Sequence, residues 1–170
     1  MFNRRTVSLV PVIAAALILS ACASNPGTST TLVPPLTSSS AAAAEEIPPT
    51  PPLDPDRVKA GEVIYGQYCA SCHRADLSGD PDWKSRNADG SLRPPPHDAT
   101  GHTWHHSDAL LLSLTRDDSV FPESRMPSFG GTLTDDEIAS VFEFIKASWG
   151  PEEREFQWQI TWREQQAGTG

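Results

Sequence analysis

Residues 69–73 read Cys-Ala-Ser-Cys-His, two cysteines two residues apart followed at once by a histidine. That spacing is the pattern of covalent haem attachment. Each thiolate adds to one vinyl group of a porphyrin, and the adjacent imidazole is thereby held against the iron as an axial ligand. Cys69 and Cys72 are the candidate thioether donors, and His73 is the candidate iron ligand. A CxxC pair also occurs as half a zinc site or as a redox dithiol. Structural zinc needs four ligands and a thioredoxin-like dithiol expects a βαβ unit, and neither context is legible here. One covalent haem c is the expected cofactor.

The chain has 170 residues and three cysteines. The third, Cys22, has a different use. Residues 1–21 carry two arginines in MFNRR and an apolar stretch from Val7 to Leu19, and they run into LSAC. They read as an export signal too short for a comfortable membrane span. LSAC resembles a bacterial lipobox, which makes Cys22 the expected lipidation site and new N-terminus. An ordinary signal would leave an unpaired thiol in an oxidising compartment. Arg4 and Arg5 form a twin pair, but NRRTV matches a twin-arginine signal poorly. The expected location is the cell envelope, lipid-anchored, with the haem domain in the periplasm or on the outer face of a membrane.

Loss of residues 1–21 removes two arginines and no acid, which takes the formal charge from −9 to about −11. Nucleic acid is excluded as a partner on this ground. Redox proteins with a basic docking face would gain in encounter rate, while the acids equally serve solubility.

Residues 22–53 are rich in Ser, Thr, Ala and Pro and poor in large apolar side chains, so they read as a disordered linker. As a coil such a tether spans roughly 30 Å, and fully extended about 100 Å. The domain proper is expected over 54–150, followed by an extension, 151–170. A first helix, capped by Asp54 or Asp56, begins near Pro55 and delivers the haem motif. A second is expected from Ser107 to about Arg116. The third follows Thr134, with acids in its first turn, apolar Ile138, Val141, Phe142 and Ile145, and a Gly-Pro stop. EEREFQWQITW in the extension reads as a short fourth helix with Phe156 and Ile160, or Trp158 and Trp162, on one face. No strand and no repeat is evident.

The chain has two methionines, Met1 and Met126, and Met1 leaves with the signal. Met126 is then the sole thioether available to the second axial position. It lies in RMPSFGG, where Pro127 restrains the backbone and the glycines permit close approach to a porphyrin.

CASCH after a helix, a proline-bearing loop, a middle helix, MPSFGGTLTDDEI and a last helix EIASVFEFIKASW occur in that order over residues 55–150. In this the chain resembles the class I cytochromes c, especially acidic, membrane-tethered bacterial members. The resemblance implies an all-α cytochrome c fold of three to four helices around one haem, with first and last helices crossing through Gly61 and Tyr65 against Phe144 and Ile145. It implies that a carbonyl of Pro94, Pro95 or Pro96 accepts the Nδ1 proton of His73. It also implies an electron carrier rather than an enzyme. His73/Met126 ligation would raise the potential and leave no open coordination position.

PPPHDATGHTWHHSD departs from the simplest pattern by placing His97, His102, His105 and His106 within ten residues. Four imidazoles in one loop raise the alternative of a second metal, copper or zinc, with Asp98 or Asp108. They also raise a histidine replacing Met126. The bland reading has the loop wrapping the haem edge, with an imidazole or the Trp104 indole on a propionate. The functional alternatives are an open or displaceable sixth site, for gas sensing or redox catalysis, and metal handling by the histidine loop.

Overall fold

The computed structural model describes residues 46–118 and 121–168. The export signal, Cys22 and the linker as far as residue 45 lie outside the described residues. Those described form five α-helices and one 3-10 turn: α1 (Pro55–Tyr68), α2 (Ala70–His73), the 3-10 turn (Thr103–His105), α3 (Asp108–Arg116), α4 (Asp135–Ala147) and α5 (Pro151–Ala167). No strand occurs among them, and a lone antiparallel bridge joins Arg86 to Leu92. The fold is all-α.

The helix starts follow from side chains that accept otherwise unpaired amide protons. Asp54, not Asp56, caps α1, accepting from the amides of Asp56 at 2.9 Å and Arg57 at 3.4 Å. Ser107 caps α3, accepting from Leu110 N at 3.2 Å. Thr134 and Glu137 form a reciprocal capping box on α4. Hydrogen bonds from Thr134 hold the Glu137 carboxyl below its ordinary pKa. Gly150-Pro151 ends one helix and starts the next, because proline lacks an amide proton where none is needed.

Helices α1 and α4 make the main crossing. A Cβ on Gly61 would lie 1.9 Å from the Ser140 carbonyl oxygen, so the backbones meet there directly. The expected partners of Gly61, Phe144 and Ile145, are displaced by one turn in favour of Ser140 and Val141. Tyr65 does pack on Phe144, with ring centroids 5.3 Å apart. Around this crossing Tyr65, Ile138 and Ile145 are almost wholly buried.

Helix α5 is longer than the expected short helix and buries a different face. Gln157 and Thr161 are each 2% exposed, whereas Phe156 is 42% exposed. The reason is a set of polar bonds at the start of α3. Gln157 Nε2 donates to Asp108 Oδ1 at 2.7 Å and to the His106 carbonyl at 3.2 Å, and Asp108 N donates to Thr161 Oγ1 at 3.0 Å. Lys146 Nζ closes the set on Asp108 at 2.7 Å. Buried polar groups are tolerated when paired, and these are.

The end of the expected linker is held against the same helix. Trp158 Nε1 donates to the Pro48 carbonyl at 2.7 Å, and Arg154 donates to the Pro51 carbonyl at 2.8 Å. A proline-rich segment has carbonyls without partners of its own, and here α5 supplies them.

Candidate haem site

Helix α1 stops at Tyr68, and the backbone opens at Cys69 (φ −112°, ψ −37°) before the single turn of α2. The Cys69 carbonyl accepts from the amides of Cys72 at 3.1 Å and His73 at 2.9 Å. This turn leaves Cys69 half-buried, Cys72 exposed and His73 buried at 7% exposure. No disulfide joins Cys69 to Cys72. Burial, reinforced by Cys72, pushes the Cys69 thiol up to about 11. Burial lowers the pKa of His73, partly offset by its hydrogen bond, so the ring is held neutral.

The partner of that ring is Pro95. His73 Nδ1 lies 2.9 Å from the Pro95 carbonyl, which has no proton to give, so Nδ1 carries the proton and Nε2 keeps its lone pair. What selects Pro95 among the three prolines is the backbone that follows the motif. Arg74 and Leu77 both take positive φ, 63° and 65°, conformations uncommon outside glycine. Tyr65 Oη holds the first by donating to the Arg74 carbonyl at 3.0 Å. The Leu77 carbonyl accepts from His97 N at 2.7 Å. Gly79 (φ +63°) completes the approach, since a Cβ there would stand 2.5 Å from the carbonyl carbon of Pro95.

His73 and Met126 line one cavity of about 750 Å³, together with Cys69 and Cys72. Its walls include Tyr65, Leu111, Phe129, Val141, Phe142 and Ile145, which also belong to the buried core. Met126 is half-buried, and its amide donates to Ser124 Oγ at 3.0 Å. This volume falls within the range of about 300–1,000 Å³ usual for cofactor sites. Haem fits the donors present: two thiols, a neutral imidazole, a thioether and apolar walls. Arg93 adds a further point of fit, because its Nε is buried without a hydrogen-bond partner although its Nη1 reaches Asp80 at 3.3 Å. An unpaired buried donor on such a wall suits a porphyrin carboxylate.

The four loop histidines are not brought together as ligands for a second metal. His97 stacks on His73, and His102 stacks on Trp83 with centroids 5.2 Å apart. His105 lies on Trp104 at 3.7 Å, and His106 meets His102 edge-on at 5.4 Å. Among the described residues no three His, Cys, Asp or Glu side chains converge for a metal ion. Across the 3-10 turn His102 and His106 line the cavity, as His97 does, while His105 does not. Burial lowers the pKa of His102 and His106, and neighbouring imidazoles add to it. Trp104, offered beside an imidazole as a propionate donor, does not line the cavity, and its Nε1 is buried without a partner. Arg93 and Trp83 are cavity residues that sequence reasoning missed, for neither stands in a recognisable pattern.

Residues 56–145 match the family described as cytochrome c oxidase, cbb3-type, subunit III. The chain belongs to that family. It is thus a class I c-type cytochrome domain, a type that binds haem c covalently, one per domain, and transfers electrons. No curated protein and no solved structure matches the chain. Such cytochrome domains are typically extracytoplasmic. Among the described residues no helix is long and apolar enough to cross a membrane.

Proposed function

We propose that this cytochrome is a membrane-tethered monohaem electron shuttle with haem bound at Cys69 and Cys72 and ligated by His73 and Met126. The observation that carries the reading is a buried His73, tied through Nδ1 to Pro95, on the wall of the cavity that Met126 also lines. Haem c supplies an iron that accepts and releases one electron. The chain does the rest. Its Pro95 carbonyl fixes the tautomer and makes His73 Nε2 the more basic donor. Met126 contributes a soft thioether, which favours the ferrous state and a higher potential. With His73 and Met126 both engaged, no coordination position would be left for a substrate, and the ligand set would stay fixed during electron exchange.

Contact with partners is expected at the cavity, where Cys72, Tyr68 and Phe121 are lining residues that are also exposed. Acylation at Cys22 would hold the domain at a membrane surface, on the periplasmic or outer side. Its partners would be redox proteins, and the acidic mature chain favours those with a basic docking face. Cys22→Ser is expected to move the haem protein from the membrane fraction to the soluble fraction of fractionated cells. Its retention in the membrane would remove the lipid anchor from the reading.

The ligand set is tested by the absorption spectra of the haem-loaded protein in ferric and ferrous states. A low-spin spectrum with the weak far-red band of methionine-ligated ferric haem is expected, and Met126→Ala should abolish that band. Persistence of the band in the variant, or a high-spin spectrum in the unsubstituted protein, would overturn His73/Met126 ligation.

A further inference from the structure

His97 is half-buried on the wall of the cavity, yet the ligand set gives it no task. Its ring lies against the ring of His73, with centroids 4.1 Å apart and planes 24° from parallel. Its Nδ1 and both polar groups of its backbone are held. Its Nδ1 is hydrogen-bonded to Thr103 Oγ1 at 2.9 Å, and Thr103 is itself 6% exposed. Its amide donates to the Leu77 carbonyl at 2.7 Å, and its carbonyl accepts from Trp149 Nε1 at 2.7 Å. Tyr65 closes one edge, its ring 6.3 Å away and nearly perpendicular.

A single hydrogen bond from His73 Nδ1 to Pro95 aims the imidazole but constrains its tilt weakly. A flat surface held in contact with the ring face removes that remaining freedom. We infer that His97 is a positioning residue which, with the Pro95 carbonyl, fixes the plane in which His73 presents Nε2 to the haem iron. An aliphatic side chain of similar volume would fill the space without defining that plane. Thr103 belongs to the device because it sets the rotation of His97. The inference rests on His73 being the axial ligand.

The plane of an axial imidazole sets which iron d orbitals it overlaps. It is therefore read in the anisotropy of the ferric low-spin electron paramagnetic resonance spectrum and in the spread of paramagnetically shifted haem-methyl signals. These are measured on the haem-loaded protein with His97→Leu, His97→Phe and Thr103→Val. Leu and Val are expected to shift and broaden the low-field resonance and to change the haem-methyl spread. His97→Phe, which keeps a flat ring, should lie closer to the unsubstituted protein than His97→Leu. Unchanged resonances in both His97→Leu and Thr103→Val would overturn the inference, even if thermal unfolding showed lost stability, since packing alone would then be the role of His97. Should His97→Leu fail to fold, Thr103→Val decides by the same criterion. Failure of the underlying reading looks different, because the unsubstituted protein would then lack a low-spin imidazole-ligated spectrum altogether.

Discussion

Gly61→Ala is expected to weaken the domain by about 3 kcal/mol or more, at the upper end of what overpacking costs. The added Cβ would stand 1.9 Å from the Ser140 carbonyl oxygen and 2.5 Å from its carbonyl carbon. Ordinary contact needs 3.5–4 Å, so the helices would have to part by roughly 1.5 Å. Neither atom belongs to a side chain, so no rotamer change at Ser140 relieves the clash. Separation would loosen the Tyr65–Phe144 contact and the burial of Ile138 and Ile145 along the same crossing. Gly66 supplies the control. It lies on the same helix with nothing within 4 Å of its would-be Cβ. There, Gly66→Ala should stabilise by about 0.5–1 kcal/mol through helix propensity alone. Urea unfolding of both haem-loaded variants, followed by haem absorbance, reads the contrast. A Gly61→Ala protein within 0.5 kcal/mol of the parent would show that the crossing is not close-packed.

The fate of Gly61 also marks how far the sequence could be read. Caps and apolar spacing announced α1 and α4, and the resemblance to class I cytochromes c implied that they cross at Gly61. Its partner was misplaced by one turn, since apolar residues were matched with apolar ones. The closest approach pairs two small residues, and Ser140 carries no hydrophobic signal. Helix α5 failed for a related reason. Periodicity pointed to Phe156 and Trp158, while the buried face is Gln157 and Thr161, whose burial depends on Asp108 and the His106 carbonyl some fifty residues away. Nothing local records such a bond.

At the site, spacing alone marked Cys69, Cys72 and His73, and elimination marked Met126. Pro95 was narrowed to one of three, and the choice turned on positive φ at Arg74 and Leu77, which residue identity does not signal. Four imidazoles within ten residues raised a second metal beside the reading of a loop wrapped on the haem edge. The structure puts three of them on the cavity wall, with His97, His102 and His105 each stacked on a different ring. One of them, His97, ends against the ring of the expected axial ligand.

Removal of the haem is expected to cost the chain its fixed tertiary structure. The described residues bury ten apolar side chains, and Tyr65, Leu111, Phe129, Val141, Phe142 and Ile145 among them line the cavity. The haem site and the hydrophobic core are therefore largely the same residues. Without haem, a cavity of about 750 Å³ leaves these apolar walls in water or forces them to collapse, and a domain of this size has only about 5–15 kcal/mol of stability to lose. Helices α3 and α4, which face the cavity through Leu111, Leu114, Val141, Phe142 and Ile145, should lose their mutual packing first. The Cys69→Ala/Cys72→Ala variant, freed of non-covalent haem, makes the comparison with the haem-loaded parent. Circular dichroism should show weakened helix signal and the loss of the near-ultraviolet bands of tryptophans such as Trp149, whose indole is bonded to the His97 carbonyl. Urea should then produce a broad, non-cooperative change. A haem-free variant that keeps the helix content of the parent and unfolds in one sharp transition would mean that α1, α4 and the Asp108–Gln157–Thr161 bonds suffice to hold the domain. The cavity would then be a preformed receptacle rather than a core completed by its cofactor.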